Sequence, residues 1–151
     1  MVNHFGATGV VFNPQGRVLM VLHKKLGVWL PPGGHVEENE LPDDACLREI
    51  FEETGIRAKL RHPSRLDLTD GHARELATPV AVLLEDIEGN GMHNHIDLVY
   101  VCEAEEGKLT PDSREVKDVR WFSVEEVMGL DTYDNVRQVI GLAGGEFNTV
   151  R

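Results

Sequence analysis

The sequence predicts an α/β fold in which a mixed β-sheet lies between helices. Apolar, β-rich segments dominate the first half of the 151 residues, while helical patterns occur over residues 41–54 and at the C-terminal end. A sheet sandwiched between helices accommodates that order of elements. At this length we expect one domain, residues 1–151, with a core of its own.

The strands are predicted from β-rich runs bounded by turn residues. In chain order they are Phe5–Phe12 and Arg17–His23 around the turn Asn13–Gly16, a short strand at Trp29 that ends in a glycine loop, one strand within Ala58–Leu68, and Val80–Ile87 with Ile96–Glu103 around Gly89–Gly91. Residues Thr69–Thr78 are polar and are expected to form a loop. Near the end, Ser123 and Glu126 form a capping box for a short helix. A last helix is predicted to begin near Asp131 or Thr132 and to carry Tyr133, Val136, Val139 and Ile140.

The helix at Leu41–Thr54 carries the most informative residues of the chain. Pro42 is tolerated only in the first turn of a helix, and Gly55 suits the position just past its end. Residues three and four apart share a face, so three glutamates are expected to project from one side: Glu49, Glu52 and Glu53. The other side presents residues that can pack into a core: Leu47, Ile50, Phe51 and Thr54.

The three glutamates repel one another, each neighbouring pair by about 0.2–0.5 kcal/mol when exposed. Only Arg48 is at hand to offset that repulsion. Hard divalent cations bind carboxylate oxygens, and Mg²⁺ also takes phosphate oxygens of a substrate. The alternative is a solvated acidic helix face, but the preceding Gly33-Gly34 lets the backbone approach a ligand closely. Together these residues favour a Mg²⁺ site for phosphate chemistry.

The spacing of this segment resembles the signature of the Nudix hydrolases. The signature positions run from Gly34 to Ile56: Gly34, Glu40, Arg48, Glu49, Ile50, Glu52, Glu53, Gly55 and Ile56. No defining position departs from it. The resemblance implies an α/β/α sandwich and an enzyme that hydrolyses a diphosphate linkage in a nucleoside diphosphate joined to another group.

The resemblance also implies roles for individual residues. The metal ligands would be Glu49, Glu52 and Glu53 with the backbone carbonyl of Gly33, holding Mg²⁺ or alternatively Mn²⁺. Gly34, Glu40, Arg48 and Gly55 would hold the segment together. The catalytic base would be Glu49 or Glu52, or a glutamate from a later loop, for which Glu115 stands in a suitable place. The alternative for Glu115 is a surface charge in a polar loop.

Several basic residues leave two interpretations open. Lys24 follows a strand and could bind substrate phosphates or lie in a solvated turn. His35 follows Gly34 and could bind a phosphate or simply cap the loop. His93 and His95 lie just after the predicted hairpin turn, where they could bind a metal or simply be exposed. A histidine pair without a third ligand is weak evidence for a metal site.

Composition limits the partners. The net charge of −11 argues against nucleic acid as a ligand, because such binding depends on basic patches. Cys46 and Cys102 lack zinc spacing and are expected to be buried thiols in a reducing compartment. No apolar run is long enough to span a membrane and no signal peptide is apparent, so the cytoplasm is the expected location.

The substrate is set outside the signature. Gly71 stands in the region where the ADP-ribose subfamily tends to have proline, and Ala73 with Arg74 where the diadenosine polyphosphate type has tyrosine. The absence of this proline and this tyrosine favours a nucleoside triphosphate or a modified nucleotide as the substrate. Aromatic candidates for stacking the base also fit core positions: Trp29, Tyr100 and Trp121.

The alternative function is a non-catalytic nucleotide-binding or regulatory module with the same fold. Relatives often form homodimers, but no feature of the sequence defines an interface.

Overall fold

The computed structural model describes residues 1–149 and consists of eight strands and three helices. The strands are β1 (Val2–Phe12), β2 (Val18–His23), β3 (Trp29–Leu30), β4 (Gly33–His35), β5 (Ile56–Leu60), β6 (Ala81–Asp86), β7 (His93–Gly107) and β8 (Val116–Phe122). The helices are α1 (Pro42–Thr54), α2 (Val124–Val127) and α3 (Asp134–Thr149). Among these helices none is long and apolar enough to cross a bilayer.

All eight strands belong to one mixed sheet. Its main path is β3-β2-β1-β7-β5, with β4 paired to β1, β6 to β7 and β8 to β2. The central pair, β1 with β7, is parallel from Val2 opposite His93 to Phe12 opposite Glu103, and the other pairs are antiparallel. β1 meets β2 in register only at Phe12 and Val18, so the sheet opens between these two strands.

The sheet separates two hydrophobic cores, which confirms the predicted α/β/α sandwich. Successive side chains of a strand point to opposite faces. In β1, Ala7 and Val11 pack under α1 with Cys46 and Ile50. Val10 and Phe12, whose side chains point to the opposite face, pack with residues of α2 and α3: Val127, Val139, Ile140, Ala143 and Phe147.

Helix α1 begins and ends close to the predicted residues. Pro42 occupies its first turn, and Gly55 adopts the left-handed conformation (φ 80°) while its N–H donates to the Phe51 carbonyl at 2.8 Å. Ile50 and Thr54 are fully buried. The expectation that Phe51 packs into the core is wrong: the residue is 41% exposed, and its ring centroid lies 4.3 Å from the Arg57 guanidinium carbon. Phe51 follows Ile50 by one residue, about 100° around the helix, and so points away from the sheet.

Other elements differ from their prediction in extent. The glycine loop is itself strand β4, because Gly33 and Gly34 pair with Thr8 and Ala7 of β1. β5 covers Ile56–Leu60 and so begins before the predicted segment. β7 runs from His93 to Gly107 and is longer than predicted, and β8 was not predicted. α3 begins at Asp134, so Tyr133 lies before it and is exposed. The capping box of Ser123 and Glu126 is confirmed, with both reciprocal hydrogen bonds present.

The two cysteines are buried thiols, as predicted. Cys46 of α1 and Cys102 of β7 are free, and their Sγ atoms lie 4.0 Å apart within the core under α1. The Cys102 thiol and burial both raise the pKa of Cys46 well above its usual value. The Cys46 thiol therefore stays protonated, and both buried cysteines pack as small apolar side chains.

Candidate metal centre and substrate cavity

Three carboxylates converge beside β4. Glu49 and Glu53 lie one turn apart on α1, and Glu115 precedes β8. One oxygen of each lies within 4.8 Å of the others, and this group is termed the carboxylate cluster. The structure thus brings the distant Glu115 to two of the signature glutamates. Glu52 lies just outside the cluster, with 53% of its side chain exposed and an oxygen 3.2 Å from Arg48.

Strand β4 forms one side of the carboxylate cluster. The Gly33 N–H donates to Oε1 of Glu53 at 2.8 Å. A Cβ atom at Gly34 would lie 2.5 Å from the Glu49 carboxyl carbon, which is closer than real contacts allow. A side chain at this position would displace the Glu49 carboxylate, so Gly34 leaves room for that carboxylate against β4. Gly33, predicted to bind the metal through its carbonyl, and Gly34, predicted to hold the segment together, therefore both lie against the glutamates.

Arg48 connects the helix to the segment that precedes it. Its Nε and Nη2 donate to Glu40 at 2.8 and 3.0 Å, and Nη2 also donates to the His35 carbonyl at 3.0 Å. Its Nη1 reaches Glu49 at 2.8 Å and Glu52 at 3.2 Å. The hydrogen bond from Arg48 lowers the pKa of Glu40. Glu40 and Glu49 in return raise the pKa of the Arg48 guanidinium. Arg48 thereby orders residues 35–40 and limits the movement of Glu49.

The carboxylate cluster is partly buried and has too little positive charge around it to balance its carboxylates. Burial raises the pKa of Glu53 to about 8, opposed by the Gly33 N–H and reinforced by the charges of Glu49 and Glu115. Burial likewise raises the pKa of Glu49 against the effect of Arg48. A divalent cation would supply the missing charge, and the carboxylate oxygens of Glu49 and Glu53 are donors that suit Mg²⁺ or Mn²⁺. The residues present therefore fit such an ion.

A cavity of about 690 Å³ adjoins the carboxylate cluster, and its walls come from both sides of the opening between β1 and β2. This volume lies within the range of small-molecule sites. Glu53 and Glu115 line it, as do two lysines, one arginine and three histidines: Lys24, Lys25, Arg114, His23, His35 and His95. Lys24 and His35, predicted to contact substrate, both line the cavity, and Nζ of Lys24 donates to the Ser113 carbonyl at 3.0 Å.

The far wall of the cavity holds an acidic pair that sequence reasoning missed. Asp97 of β7 accepts from Oγ1 of Thr8 at 2.9 Å, and Glu85 lies on the neighbouring strand β6. Burial, with a hydrogen bond to Asp97, raises the pKa of Glu85 to about 8. The available signal was an acid beside apolar strand residues, with Asp97 between Ile96 and Leu98 and Glu85 after Leu84. The aromatic candidates from the sequence do not line the cavity, because Tyr100 and Trp121 pack in the core under α1 and Trp29 packs in the other core.

Comparison with known proteins now gives the family. A family model described as NUDIX domain matches residues 2–140. The chain belongs to the NUDIX domain family. The Nudix signature recognised at Gly34–Ile56 thus lies within a match that spans nearly the whole sequence.

A solved structure supports the same assignment. The chain is 31% identical to a NUDIX-family hydrolase from Clostridium perfringens, with a TM-score of 0.85, and the match covers 98% of this chain and 100% of that one. The Nudix fold therefore accounts for nearly all of the described structure.

Curated relatives share shorter regions. A "MutT-like protein" from Streptomyces ambofaciens is 29% identical over 119 residues, 79% of this chain and 63% of that protein. A "Putative 8-oxo-dGTP diphosphatase" from Bacillus subtilis is 42% identical over 55 residues, 36% of this chain and 37% of that protein. The Nudix chain thus spans less than two thirds of the length of these relatives.

Proposed function

We propose that this Nudix protein hydrolyses a diphosphate linkage in a nucleoside diphosphate joined to another group, by attack of water on phosphorus. The observation that carries the proposal is the carboxylate cluster at the edge of a 690 Å³ cavity with a basic wall. Carboxylates hold a metal, and the basic side chains can balance phosphate charge. A net charge of −11 makes that local balance necessary for a polyphosphate substrate.

The proposed cofactor is Mg²⁺, with Mn²⁺ as an alternative, held by Glu49 and Glu53 with Glu52 and the Gly33 carbonyl as further predicted ligands. A divalent cation bound there polarises phosphoryl oxygens and lowers the pKa of water. Arg48 keeps Glu49 oriented through the 2.8 Å ion pair. Gly33 keeps Glu53 oriented through its N–H.

Glu115 is the residue we propose as proton acceptor for the attacking water. It borders both the carboxylate cluster and the cavity, whereas the other two candidates, Glu49 and Glu52, are tied to Arg48. A carboxylate free to reach a substrate water is the better base. Lys24, His35 and Arg114 are placed to contact phosphates, since all three line the cavity.

The proposed substrate is a nucleoside triphosphate or a modified nucleotide. The name of the Bacillus subtilis relative agrees with this class, although that match spans 55 residues. The acidic pair, Glu85 and Asp97, lies in the cavity on the wall formed by β6 and β7 and offers both an acceptor and, while Glu85 is protonated, a donor for the edge of a base. A cytoplasmic location and a homodimer complete the proposal.

The test is hydrolysis of a substrate panel with Mg²⁺: nucleoside triphosphates, oxidised forms, nucleotide sugars, ADP-ribose and dinucleoside polyphosphates. Released phosphate is measured directly, and again after adding a pyrophosphatase or a phosphatase. Glu53→Gln should abolish turnover of the preferred class, and Glu125→Gln, on an exposed position of α2, should not. Tight binding of metal and nucleotide without any released phosphate would instead establish the non-catalytic binding module.

A further inference from the structure

Four of the seven histidines of the chain meet at one end of the sheet. His4 lies near the start of β1, opposite His95 in the parallel pairing with β7. His93, two residues before His95, points to the same face of the sheet. β4 adds His35, which stands opposite Gly6 of β1. Three strands that are distant in sequence thus contribute to this histidine cluster.

The ring nitrogens of the histidine cluster are close enough to share an ion. One nitrogen from each ring lies within 4.8 Å of the others, and Nδ1 of His4 is 3.2 Å from Nε2 of His93. The rings meet edge to face, with centroids 4.4 Å apart for His35 and His95. Four nitrogens around a tetrahedral Zn²⁺ are separated by about 3.4 Å, so ring shifts of about 1 Å suffice.

Two observations indicate that ring nitrogens of the histidine cluster are available and oriented to bind a metal ion. Nε2 of His95 is buried and has no hydrogen-bond partner among residues 1–149. A buried ring nitrogen without a hydrogen-bond partner is costly, and a metal ion bound to it would remove that cost. His93 turns its Nδ1 toward Glu88 at 3.9 Å and its Nε2 toward His4. A carboxylate on the outer nitrogen of a histidine is a common way to orient a metal ligand.

We propose that His4, His35, His93 and His95 form a second metal site, for a borderline transition-metal dication such as Zn²⁺. Imidazole nitrogens favour Zn²⁺, Ni²⁺ or Cu²⁺, whereas Mg²⁺ requires oxygen ligands. The site is therefore chemically distinct from the carboxylate cluster, and the inference does not depend on the proposed hydrolysis.

The surroundings of the histidine cluster give the ion a path and a consequence. His4 and His35 are exposed and line an open cleft together with Glu37 and Glu38, through which a cation can enter. His35 and His95 also line the cavity described above. A dication here would join β4 to β1 and β7, and it would place positive charge at the cavity rim.

The experiment is a Co²⁺ titration of untagged, metal-free protein in saturating Mg²⁺, which occupies oxygen sites. One equivalent of Co²⁺ should produce the intense visible absorption of four-coordinate nitrogen ligation, and Zn²⁺ should displace it. Isothermal titration with Zn²⁺ gives the affinity. His4→Gln and His95→Ala should each weaken binding by about 100-fold. His4 is exposed, so its substitution leaves the core intact.

The controls separate this histidine cluster from the carboxylate cluster and from surface histidines. His72→Ala, in an exposed loop, and Glu49→Gln should both retain the absorption and the Zn²⁺ affinity. Absence of the four-coordinate spectrum in the wild-type protein would overturn the proposal. So would a spectrum that persists in both His4→Gln and His95→Ala, or one that is lost in Glu49→Gln.

Discussion

At the scale of single residues, Glu115 shows how a side chain far from the signature joins the site. Its carboxylate lies with those of Glu49 and Glu53, but unlike Glu49 it has no ion pair with Arg48. Glu49 and Glu53 are held by Arg48 and by the Gly33 N–H, which suits ligands that must stay in place. Glu115 can therefore supply the proton transfer while its neighbours hold the metal.

Glu115→Gln is expected to lower kcat by about 100-fold or more while changing KM little, because a general base acts on the chemical step. The measurement is steady-state hydrolysis of the preferred nucleotide. Glu125→Gln is the matched control, and an unchanged kcat for Glu115→Gln would assign the base to Glu49 or Glu52.

Arg48→Lys is expected to destabilise the protein by about 2 kcal/mol. A lysine has one ammonium and cannot reproduce the simultaneous bonds to Glu40, Glu49 and the His35 carbonyl. Urea unfolding measures the loss. Arg114→Lys is the control, since Arg114 is 87% exposed and pairs only with Asp112 among the described residues. Equal, small effects of both substitutions would contradict the ordering role of Arg48.

Glu85 gives a prediction for pH. Its pKa is raised from 4.5 to about 8, so between these values the folded protein holds a proton that the unfolded chain releases. The free energy of unfolding of the metal-free protein should therefore fall as pH rises through that window. Glu85→Gln should reduce the slope, leaving the part due to Glu53, whose pKa shifts the same way. Urea unfolding at several pH values measures it, and identical slopes would refute the assignment.

At the scale of elements, α1 is set by its ends as much as by its face. Pro42 starts the helix, and the left-handed Gly55 ends it and turns the chain into β5. The carboxylate cluster requires this helix to lie close to β4, and Gly34 provides the clearance. The end of the helix and the glycine strand together position Glu49 and Glu53.

Gly55→Ala is expected to destabilise the protein by about 1–3 kcal/mol, because alanine is strained at φ 80° and its Cβ would overlap the Lys108 carbonyl. Gly141→Ala is the matched control. Gly141 lies within α3 with open space around its Cβ position, so alanine there should stabilise by about 0.5–1 kcal/mol. Thermal unfolding compares the two, and opposite signs are expected. A neutral Gly55→Ala would show that the helix end is not constrained.

At the scale of the whole molecule, the opening between β1 and β2 determines where a ligand can bind. The cavity takes its walls from β2, β4, β6, β7 and α3, so ligand or metal bound there links segments far apart in sequence. Binding to the folded state alone must raise the stability of the whole domain.

Mg²⁺ at 100 times its Kd is expected to add about 2.7 kcal/mol to the free energy of unfolding. Differential scanning calorimetry with increasing MgCl₂ measures this as a rise in Tm. Glu53→Gln should abolish the rise, because the cluster loses a buried ligand, while His72→Ala should retain it. A rise of the same size in Glu53→Gln would place Mg²⁺ elsewhere on this acidic protein.

The sequence by itself determined what depends on neighbours along the chain. The spacing of the signature, the boundaries of α1, the capping box at Ser123 and the family all follow from residues a few positions apart. Local patterns fail where a side chain has more than one direction to take. Phe51 is an apolar residue of a helix, yet it lies under Arg57, because the position of the sheet decides which side of the helix faces the core.

Only the tertiary structure decided which distant groups meet. Glu115 joins Glu49 and Glu53, Glu85 meets Asp97, and four histidines from three strands converge. Each encounter depends on strand order and register, and those are set by long-range pairing and core packing rather than by local preference. The parallel alignment of β1 with β7 brings His4 opposite His95, and nothing within either segment specifies that register.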